Sequence, residues 1–479
     1  MKEENRLATL KYLRWTIWTY FWLLVFEGSL RKWVVPQLAT PLLIVRDPVV
    51  LMAYAFALRL GIFPRNKWVD SLLVIALISF LIAFIPLVDY VPPLRIVLVA
   101  TYGLRCDFLH LPMIFLIPAV LRLEDVKKFG WWFLLLIPPM ALLMAAQFQA
   151  SPDSFLNRTA SGEGEMMMAA LGKVRTAGPF SFVVGVVSFF ALATGFLLWA
   201  ALKRKVYPLW LLYAAAAGLA IGGAVCGSRT VVATCAVVVA SLGFALVLRP
   251  SSVTRLGQVL VGVVVLGWCV SKTPIYREGL MVLSTRFNSV AEANETSIGG
   301  SLLDRLGDDF EDSFVSLKVA PFWGYGLGVG TNGGGKFLSG HAGFLLSEVE
   351  WSRIVLEGGP LFGLAFVVWR ISLAFYLGWL CLISVRRSGN LLPLLLFSST
   401  SMLLINGQFG QPTIAGFAVL GAGLTLAARR LTETEAPADS GHPSGPVREA
   451  ARLPRSSPYA RRLQETASSR NQANGFVDR

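Results

Sequence analysis

The chain has 479 residues, of which 55% are hydrophobic and only 15% are charged. Its mean hydropathy of +0.61 exceeds what the core and surface of a soluble globular protein need, so the excess apolar residues belong in lipid. The net charge of +14 does not indicate a nucleic-acid-binding protein, because the basic residues are spread over short segments instead of one module. We therefore expect membrane lipids around the chain and no nucleic acid.

Apolar stretches long enough to cross a membrane recur along most of the chain. A helix of about 18 to 25 residues, rising about 1.5 Å per residue, crosses a hydrocarbon core of about 30 Å. The pattern predicts an all-α integral membrane protein with about 12 transmembrane helices. The predicted spans are residues 12–29, 41–61, 69–90, 94–121, 128–148, 180–202, 206–226, 230–249, 255–272, 357–384, 391–408 and 412–428.

The fourth predicted span, residues 94–121, carries Arg95, Arg105, Asp107 and His110. Such residues are costly in a lipid-facing helix. We therefore expect either one broken helix or a short re-entrant pair.

The positions of Lys and Arg predict the orientation of the chain. Basic residues precede the first span within residues 2–14. They recur on the same side at Lys203, Arg204, Lys205, Arg386 and Arg387. The positive-inside rule assigns this side to the cytoplasm, so both termini are expected there. The first apolar segment is rich in Trp and lacks a small-residue cleavage site, so we expect it to remain as an anchor.

The predicted membrane domain covers residues 1–430. Three regions of the chain are not predicted to span the membrane. They are two outer loops, at about residues 149–179 and 273–356, and a cytoplasmic tail, residues 431–479. The tail is rich in Pro, Ser and Arg and poor in large apolar residues, so it is predicted to be disordered. The large late loop is predicted to contain a short amphipathic helix on the membrane surface. Its apolar residues recur at helical spacing at Leu303, Leu306, Phe310, Phe314 and Leu317.

The residue patterns indicate no metal ion and no other cofactor. The five cysteines lie in or beside apolar spans and show no CxxC spacing. The acidic residues between Asp304 and Asp312 match no calcium-binding loop and suit the polar face of the predicted helix. The segment GTNGGGKF at 330–337 resembles a phosphate-binding loop, but Phe337 stands where that loop needs Ser or Thr.

Several cationic residues lie on the outer side, against the charge trend. Arg229, in CGSRT, stands at the boundary between two spans with almost no loop, and Lys173 and Arg175 precede the sixth span. A diphosphate is an apt counter-charge for such groups, while snorkelling of Arg229 to lipid headgroups is the alternative. Arg46 is expected to form a plain salt bridge with its neighbour Asp47.

Charged residues also gather at the entry to the tenth span, in SEVEWSRIVLEGGPLFG. Spacings of three and four place Glu350, Arg353 and Glu357 on one helical face, with Glu357 the expected structural member. Glu348 or Glu350 is a candidate catalytic base, although a helix start also attracts glutamates through its macrodipole. His341, the only histidine in the predicted outer loops, is the third candidate.

The order of these segments resembles the O-antigen ligase and O-antigen polymerase superfamily of bacterial polytopic membrane glycosyltransferases. The resemblance covers most of residues 70–428. Its matching segments are RTAGPFS at 175–181, GSRT at 227–230, PFWGYGLGVGTN at 321–332 and LEGGPLFGL at 356–364. It implies metal-independent transfer of a glycan from an undecaprenyl-diphosphate-linked donor to a sugar hydroxyl of a glycan or lipid-linked acceptor, on the periplasmic face of the inner membrane.

The resemblance implies that Arg229 and Arg175, and less directly Arg353, bind the diphosphate. Lys173, two positions before Arg175, is a further candidate ligand. Ligases of the family carry a His-Asn pair about nine residues before the Glu-Gly entry, where this chain has Glu348. This departure favours an exopolysaccharide or O-antigen polymerase over an O-antigen ligase.

Two other functions remain open from the sequence. A transporter or flippase for the lipid-linked glycan would line a central cavity with charges such as Arg105 and Arg370. A scaffold would use the membrane domain as an anchor and recruit other polysaccharide assembly proteins through its tail.

Overall fold

The computed structural model describes residues 3–160, 168–203, 205–248, 256–294, 300–340, 343 and 345–434. These residues form helices and connecting loops, and their isolated bridge between Met168 and Val174 is the only β-type pairing found among them. The predicted all-helical fold is therefore confirmed for the described part of the chain. His341 and the predicted tail from residue 435 onwards lie outside the described residues.

Each predicted span overlaps a helix or a pair of helices. The α-helices are α1 (Glu3–Ser29), α2 (Asp47–Leu60), α3 (Lys67–Ile82), α4 (Pro93–Leu104), α5 (Met113–Val120), α6 (Leu123–Gln149), α7 (Val183–Leu202), α8 (Leu209–Val225), α9 (Arg229–Leu248), α10 (Leu256–Ser271), α11 (Pro274–Asn294), α12 (Gly300–Val319), α13 (Asn332–Ser339), α14 (Glu350–Ser388), α15 (Leu392–Asn406) and α16 (Pro412–Thr434).

In the described residues, six helices are long and apolar enough to cross a membrane. They are α6, α7, α9, α14 and the stretches Pro41–Leu60 and Pro412–Arg430. The helices α8 and α15 and the stretch Val261–Ser271 are apolar but shorter. These helices indicate a multi-pass membrane protein, while the number of about 12 spans stays a prediction.

The expected interruption of the fourth span is present. Residues Pro93–Leu109 and Met113–Val120 form a pair of helices bent by 43°. The last turn before the bend, Arg105–Leu109, is π-helical, and Pro112 follows at the start of α5. Proline lacks a backbone N–H, and a π-helical turn redirects side chains, so the charged residues of this segment can reach partners on several helices.

The centre of the fold lies around α7 and α16. In the membrane-length stretches of α7 and α16, 83% and 78% of the residues are buried. In α9 only 22% are buried. The helix α7 is apolar on every side, as its packing against α6, α9, α15 and α16 requires. The helix α9 lies at the periphery and leaves apolar side chains such as Val239 about half exposed, as lipid contact allows.

Contacts between the connecting segments define two ends of the helix bundle. At one end, which we call the outer end, Lys32 after α1 donates a hydrogen bond to the carbonyl of Gly178 before α7. At the other, the inner end, Tyr207 before α8 donates to the carbonyl of Lys127 in α6. Counting the predicted spans along the chain also places the segments with Lys32 and Gly178 on one side of the membrane and those with Lys127 and Tyr207 on the other. The assignment of the ends to membrane sides stays a prediction.

The predicted late loop is largely helical, because α11, α12 and α13 all lie within it. The helix predicted there is present as α12, which is 20 residues long and packs against α14. In its last turns the buried residues are Ser313 and Ser316, whereas Phe314 and Val315 are 51% and 52% exposed. The position of α12 on the membrane surface stays a prediction.

Candidate functional site

The segment RTAGPFS begins with Arg175 and is fixed at the outer end by Gly178. Gly178 has a φ of +55°, which favours glycine. Its N–H donates to Gln147 Oε1 at 2.9 Å, and its carbonyl accepts from Lys32 Nζ at 2.7 Å. Burial of Lys32 away from water lowers the pKa of its amine to about 7. The segment is thus tied to both α1 and α6.

The end of α1 packs directly on the second half of this segment. A Cβ on Gly28 would lie only 2.4 Å from the backbone nitrogen of Ser181, so only glycine permits this approach. Ser29 Oγ donates to the carbonyl of Pro179 at 3.1 Å, and Arg31 donates to Ser181 Oγ at 3.0 Å. These contacts hold the second half of RTAGPFS against the end of α1.

The segment GSRT, which carries Arg229, packs against the start of RTAGPFS. Thr176 Oγ1 donates to the carbonyl of Val225 at 3.2 Å. Gly227 has a φ of +60°, and a Cβ there would lie 3.9 Å from Cγ of Arg175. Two segments that lie about fifty positions apart in the sequence are therefore adjacent at the outer end. One carries Arg175 in a loop, and the other carries Arg229 as the first residue of α9.

The helix α11 completes this group of basic residues. Its residue Glu278 pairs with Lys173 at 2.7 Å, and the ring of its Phe287 lies 6.0 Å from the guanidinium carbon of Arg229. The side chain of Lys173 is 27% exposed, and Arg175 and Arg229 are half-buried. We call Lys173, Arg175 and Arg229 the outer basic cluster; three of the four predicted diphosphate ligands belong to it.

The other two matching segments, 321–332 and 356–364, form a second pair. Tyr325 N–H donates to the carbonyl of Leu356 at 2.8 Å, in a contact between their backbones. Gly359 interrupts α14 with a φ of 72° and lies against the first segment. A Cβ on Gly359 would lie 2.3 Å from the carbonyl oxygen of Phe322. The glycines in these segments thus serve close backbone packing.

Arg353, the fourth predicted diphosphate ligand, lies in a buried network of charges. Its guanidinium contacts Asp107 at 2.7 Å, Glu350 at 3.0 Å and Glu357 at 2.9 Å, and the residue is only 2% exposed. The predicted face formed by Glu350, Arg353 and Glu357 is confirmed. Because its donors all point at carboxylates, this geometry favours a structural role for Arg353.

Glu350, one of the candidate bases, is enclosed in the same network. One of its oxygens accepts from Arg370 at 2.7 Å and from the N–H of Phe409 at 3.0 Å, while the other accepts from Arg353. Glu357 has a further partner besides Arg353, since it accepts a hydrogen bond from the N–H of Gly330 at 2.8 Å. These contacts favour structural roles for both glutamates, as the sequence indicated for Glu357.

Glu348 differs from Glu350 in that it is exposed to solvent at the outer end. Its backbone carbonyl accepts a hydrogen bond from the side chain of Gln408, which fixes the backbone there. Its assignment as the base stays a prediction. The third candidate, His341, lies outside the described residues.

A second buried network contains residues to which the sequence analysis gave no common site. Asp47 accepts from Arg105 at 2.6 Å and lies 3.0 Å from His110 Nε2, and His110 Nδ1 lies 2.9 Å from the hydroxyl of Tyr20. The salt bridge predicted for Arg46 is present, but its partner is not Asp47. Arg46 pairs with Glu27 at 3.1 Å, because side chains of consecutive residues do not face each other on a helix.

The π-helical turn of the broken span joins the two networks. Arg105 at its start pairs with Asp47, whereas Asp107 two residues later pairs with Arg353. The only sequence signal for this was the cluster of charges that interrupts an apolar span. Arg105 and Arg370 are therefore both engaged in ion pairs.

Among the described residues, no group of three or more His, Cys, Asp or Glu side chains is arranged to hold a metal ion. Comparison with known proteins finds no matching family model, no matching curated protein and no matching solved structure.

Proposed function

We propose that this protein is a membrane glycosyltransferase that moves a glycan from an undecaprenyl-diphosphate carrier to an acceptor sugar hydroxyl. The acceptor is a growing glycan, as in an exopolysaccharide or O-antigen polymerase. The observation that carries the proposal is the outer basic cluster, in which the segment with Arg175 packs against the segment that leads into α9 at Arg229.

The chemistry of the transfer suits this cluster. The acceptor oxygen forms a bond to the anomeric carbon while the bond from that carbon to the phosphate oxygen breaks, and the acceptor proton passes to a base. Negative charge then grows on the departing diphosphate. Planar guanidinium groups donate paired hydrogen bonds to phosphate oxygens, so Arg175 and Arg229 stabilise this charge without a metal ion.

The proposal assigns the base to Glu348, with His341 as the second candidate. Glu348 is exposed at the outer end, whereas Glu350 is enclosed by Arg353 and Arg370. A carboxylate that must take a proton from a sugar hydroxyl has to reach the substrate, which an exposed side chain can do.

The proposal also includes a location. We assign the protein to the bacterial inner membrane with about 12 spans, the inner end in the cytoplasm and the outer end in the periplasm. Support for this orientation comes from the basic residues Lys203 and Lys205 at the inner end. The carrier diphosphate would then meet the outer basic cluster at the periplasmic surface.

Purified protein supplied with a lipid-linked glycan donor tests the proposal. We expect Arg229→Ala and Arg175→Ala to lower transfer at least a hundredfold, because each removes a cation that faces the leaving group. Arg229→Lys should retain part of the activity. The matched control is Arg158→Ala, since Arg158 is an exposed arginine of the same outer loop and should be dispensable.

The same variants separate this enzyme from a transporter and from a scaffold. Carrier flipping, measured in proteoliposomes, should be unchanged in Arg229→Ala if it occurs at all. A variant that loses flipping but keeps transfer would contradict the proposal. Full transfer by a chain shortened after residue 434 would exclude a function that resides in the tail.

A further inference from the structure

A cleft between α7, α8 and α10 opens sideways near the inner end, far from the outer basic cluster. Its volume is about 270 Å³, and its lining is apolar. Side chains on its walls are Leu198, Leu212, Tyr213, Val263 and Leu266. Tyr213 and Val263 are 50% and 57% exposed, so the cleft is open on the face that meets lipid in a membrane protein.

A second space, which we call the mouth, adjoins the cleft at the inner end. Ala201, Leu209 and Leu212 line both the cleft and the mouth, so the two spaces are adjacent. The mouth also contains the exposed residues Lys203 and Lys205 and has a volume of about 560 Å³. None of the residues described as lining the mouth is acidic.

The dimensions of the cleft match the upper part of one acyl chain. The lining residues of α8 run from Leu209 to Ala216, which corresponds to about 10 Å along a helix. This length covers about a third of the hydrocarbon core, as the upper part of one acyl chain does. The lysines at the mouth then lie at the depth of the headgroup phosphate.

We propose that this cleft is a binding site for one anionic phospholipid of the inner leaflet. An acyl chain fills the apolar part, and the phosphate of the headgroup lies between Lys203 and Lys205. Charge complementarity selects the occupant, because the lysines attract an anionic headgroup and lack acidic neighbours in the lining. The site is independent of glycan transfer.

Native mass spectrometry of the purified full chain in detergent tests the proposal. The probes are phosphatidylglycerol and phosphatidylcholine with identical acyl chains, which differ in headgroup charge alone. We expect one phosphatidylglycerol to be retained per chain with a preference of about thirtyfold, equivalent to about 1 kcal/mol for each lysine. Equal retention of the two lipids would overturn the proposal.

Two variants locate the site. The double variant Lys203→Gln/Lys205→Gln should lose the preference, whereas Arg65→Gln/Lys67→Gln should keep it. The control changes two exposed basic residues outside the cleft, Arg65 before α3 and Lys67 at its first position. If the first variant still prefers phosphatidylglycerol, anionic lipid binding is due to the general basicity of the inner end. That result would contradict the proposal.

Filling the cleft gives an independent measurement. Gly262 lines it, and a Cβ there would lie 3.7 Å from Tyr213 Oη, which is ordinary contact. Gly262→Leu should therefore fold, as a thermal melt can verify, and should lower the retention of both lipids about tenfold. If polyprenyl phosphate displaces phosphatidylglycerol at equal concentration, the cleft belongs to the glycan carrier and the proposal is wrong.

Discussion

The guanidinium of Arg353 lies 2.7 Å from a carboxylate oxygen of Asp107, although 246 positions separate the two residues in the chain. This ion pair joins the broken fourth span to the first turn of α14. Each partner is 2% exposed, so neither charge is solvated by water. If Asp107 is removed, Arg353 still pairs with two other carboxylates. If Arg353 is removed, Asp107 is left buried without its cation.

We therefore expect Arg353→Met to lower the free energy of unfolding by about 3 to 5 kcal/mol, and Asp107→Asn to lower it less. Arg353→Met costs more because it leaves three carboxylates facing one another. Thermal unfolding in detergent, followed by tryptophan fluorescence, measures both changes. The control Glu348→Gln alters an exposed carboxylate and should leave the midpoint unchanged. Wild-type stability in Arg353→Met would contradict the buried network.

Lys32 makes the stability depend on pH. Its pKa in the folded chain is about 7, below the ordinary value of 10.5, because burial disfavours the charged amine. Between pH 7 and pH 10.5 the unfolded chain binds a proton that the folded chain does not, so stability rises with pH. Below pH 7 both states are protonated, and the dependence on Lys32 ends.

Thermal midpoints at pH 7 and pH 9.5 measure this effect, and the wild type should be more stable at the higher value. Lys32→Met should flatten the slope, because the side chain no longer titrates. Lys128→Met, which changes an exposed lysine, should retain the slope of the wild type. Identical slopes in all three proteins would show that Lys32 is not buried as described.

Alanine substitutions at Gly359 and Gly340 distinguish the cost of backbone strain from the cost of steric overlap. Both have positive φ, at 72° and 80°, so alanine is strained at either position. A Cβ at Gly340 meets no atom within 4 Å, whereas one at Gly359 would lie 2.3 Å from the carbonyl oxygen of Phe322. Gly340→Ala should cost about 1 kcal/mol, and Gly359→Ala clearly more.

Limited proteolysis shows where the overlap acts. In Gly359→Ala the backbone of residues 321–332 has to move away from α14, so cleavage within this segment should become faster. Gly340→Ala should show the cleavage rate of the wild type. Equal rates in the two variants would mean that the paired segments are not in contact.

The sequence predicted the helices well and the site only in part. Apolar periodicity and length suffice to predict helices, because both can be read from the consecutive residues of one segment. It also predicted the face shared by Glu350, Arg353 and Glu357, since that spacing is local. The pairing of Arg353 with Asp107, and of Arg46 with Glu27, depends on helix packing, which no local pattern encodes.

The grouping of the matching segments in pairs was not predictable for the same reason. Each segment contains glycines, and a glycine in a sequence indicates close approach without naming the neighbour. The structure supplies the neighbour: Gly28 lies against Ser181, and Gly227 lies close to Arg175. The segments that carry Arg175 and Arg229 are thus adjacent, whereas Arg353 belongs to a separate buried network.

The sidedness of the two ends can be measured with introduced cysteines. Among the native cysteines Cys269 is exposed and Cys235 is half-buried, so the background should carry Cys235→Ser and Cys269→Ser. Ser228→Cys and Glu348→Cys then report on the outer end, and Lys128→Cys reports on the inner end.

A membrane-impermeant maleimide applied to intact spheroplasts should label the two outer cysteines and leave the inner one unlabelled. After permeabilisation all three should react, which shows that the inner cysteine is accessible in the folded chain. Labelling of Lys128→Cys alone before permeabilisation would place the outer basic cluster in the cytoplasm. In that case a diphosphate carrier presented at the periplasmic surface would not reach Arg175 and Arg229, and the proposed transfer would be excluded on that face.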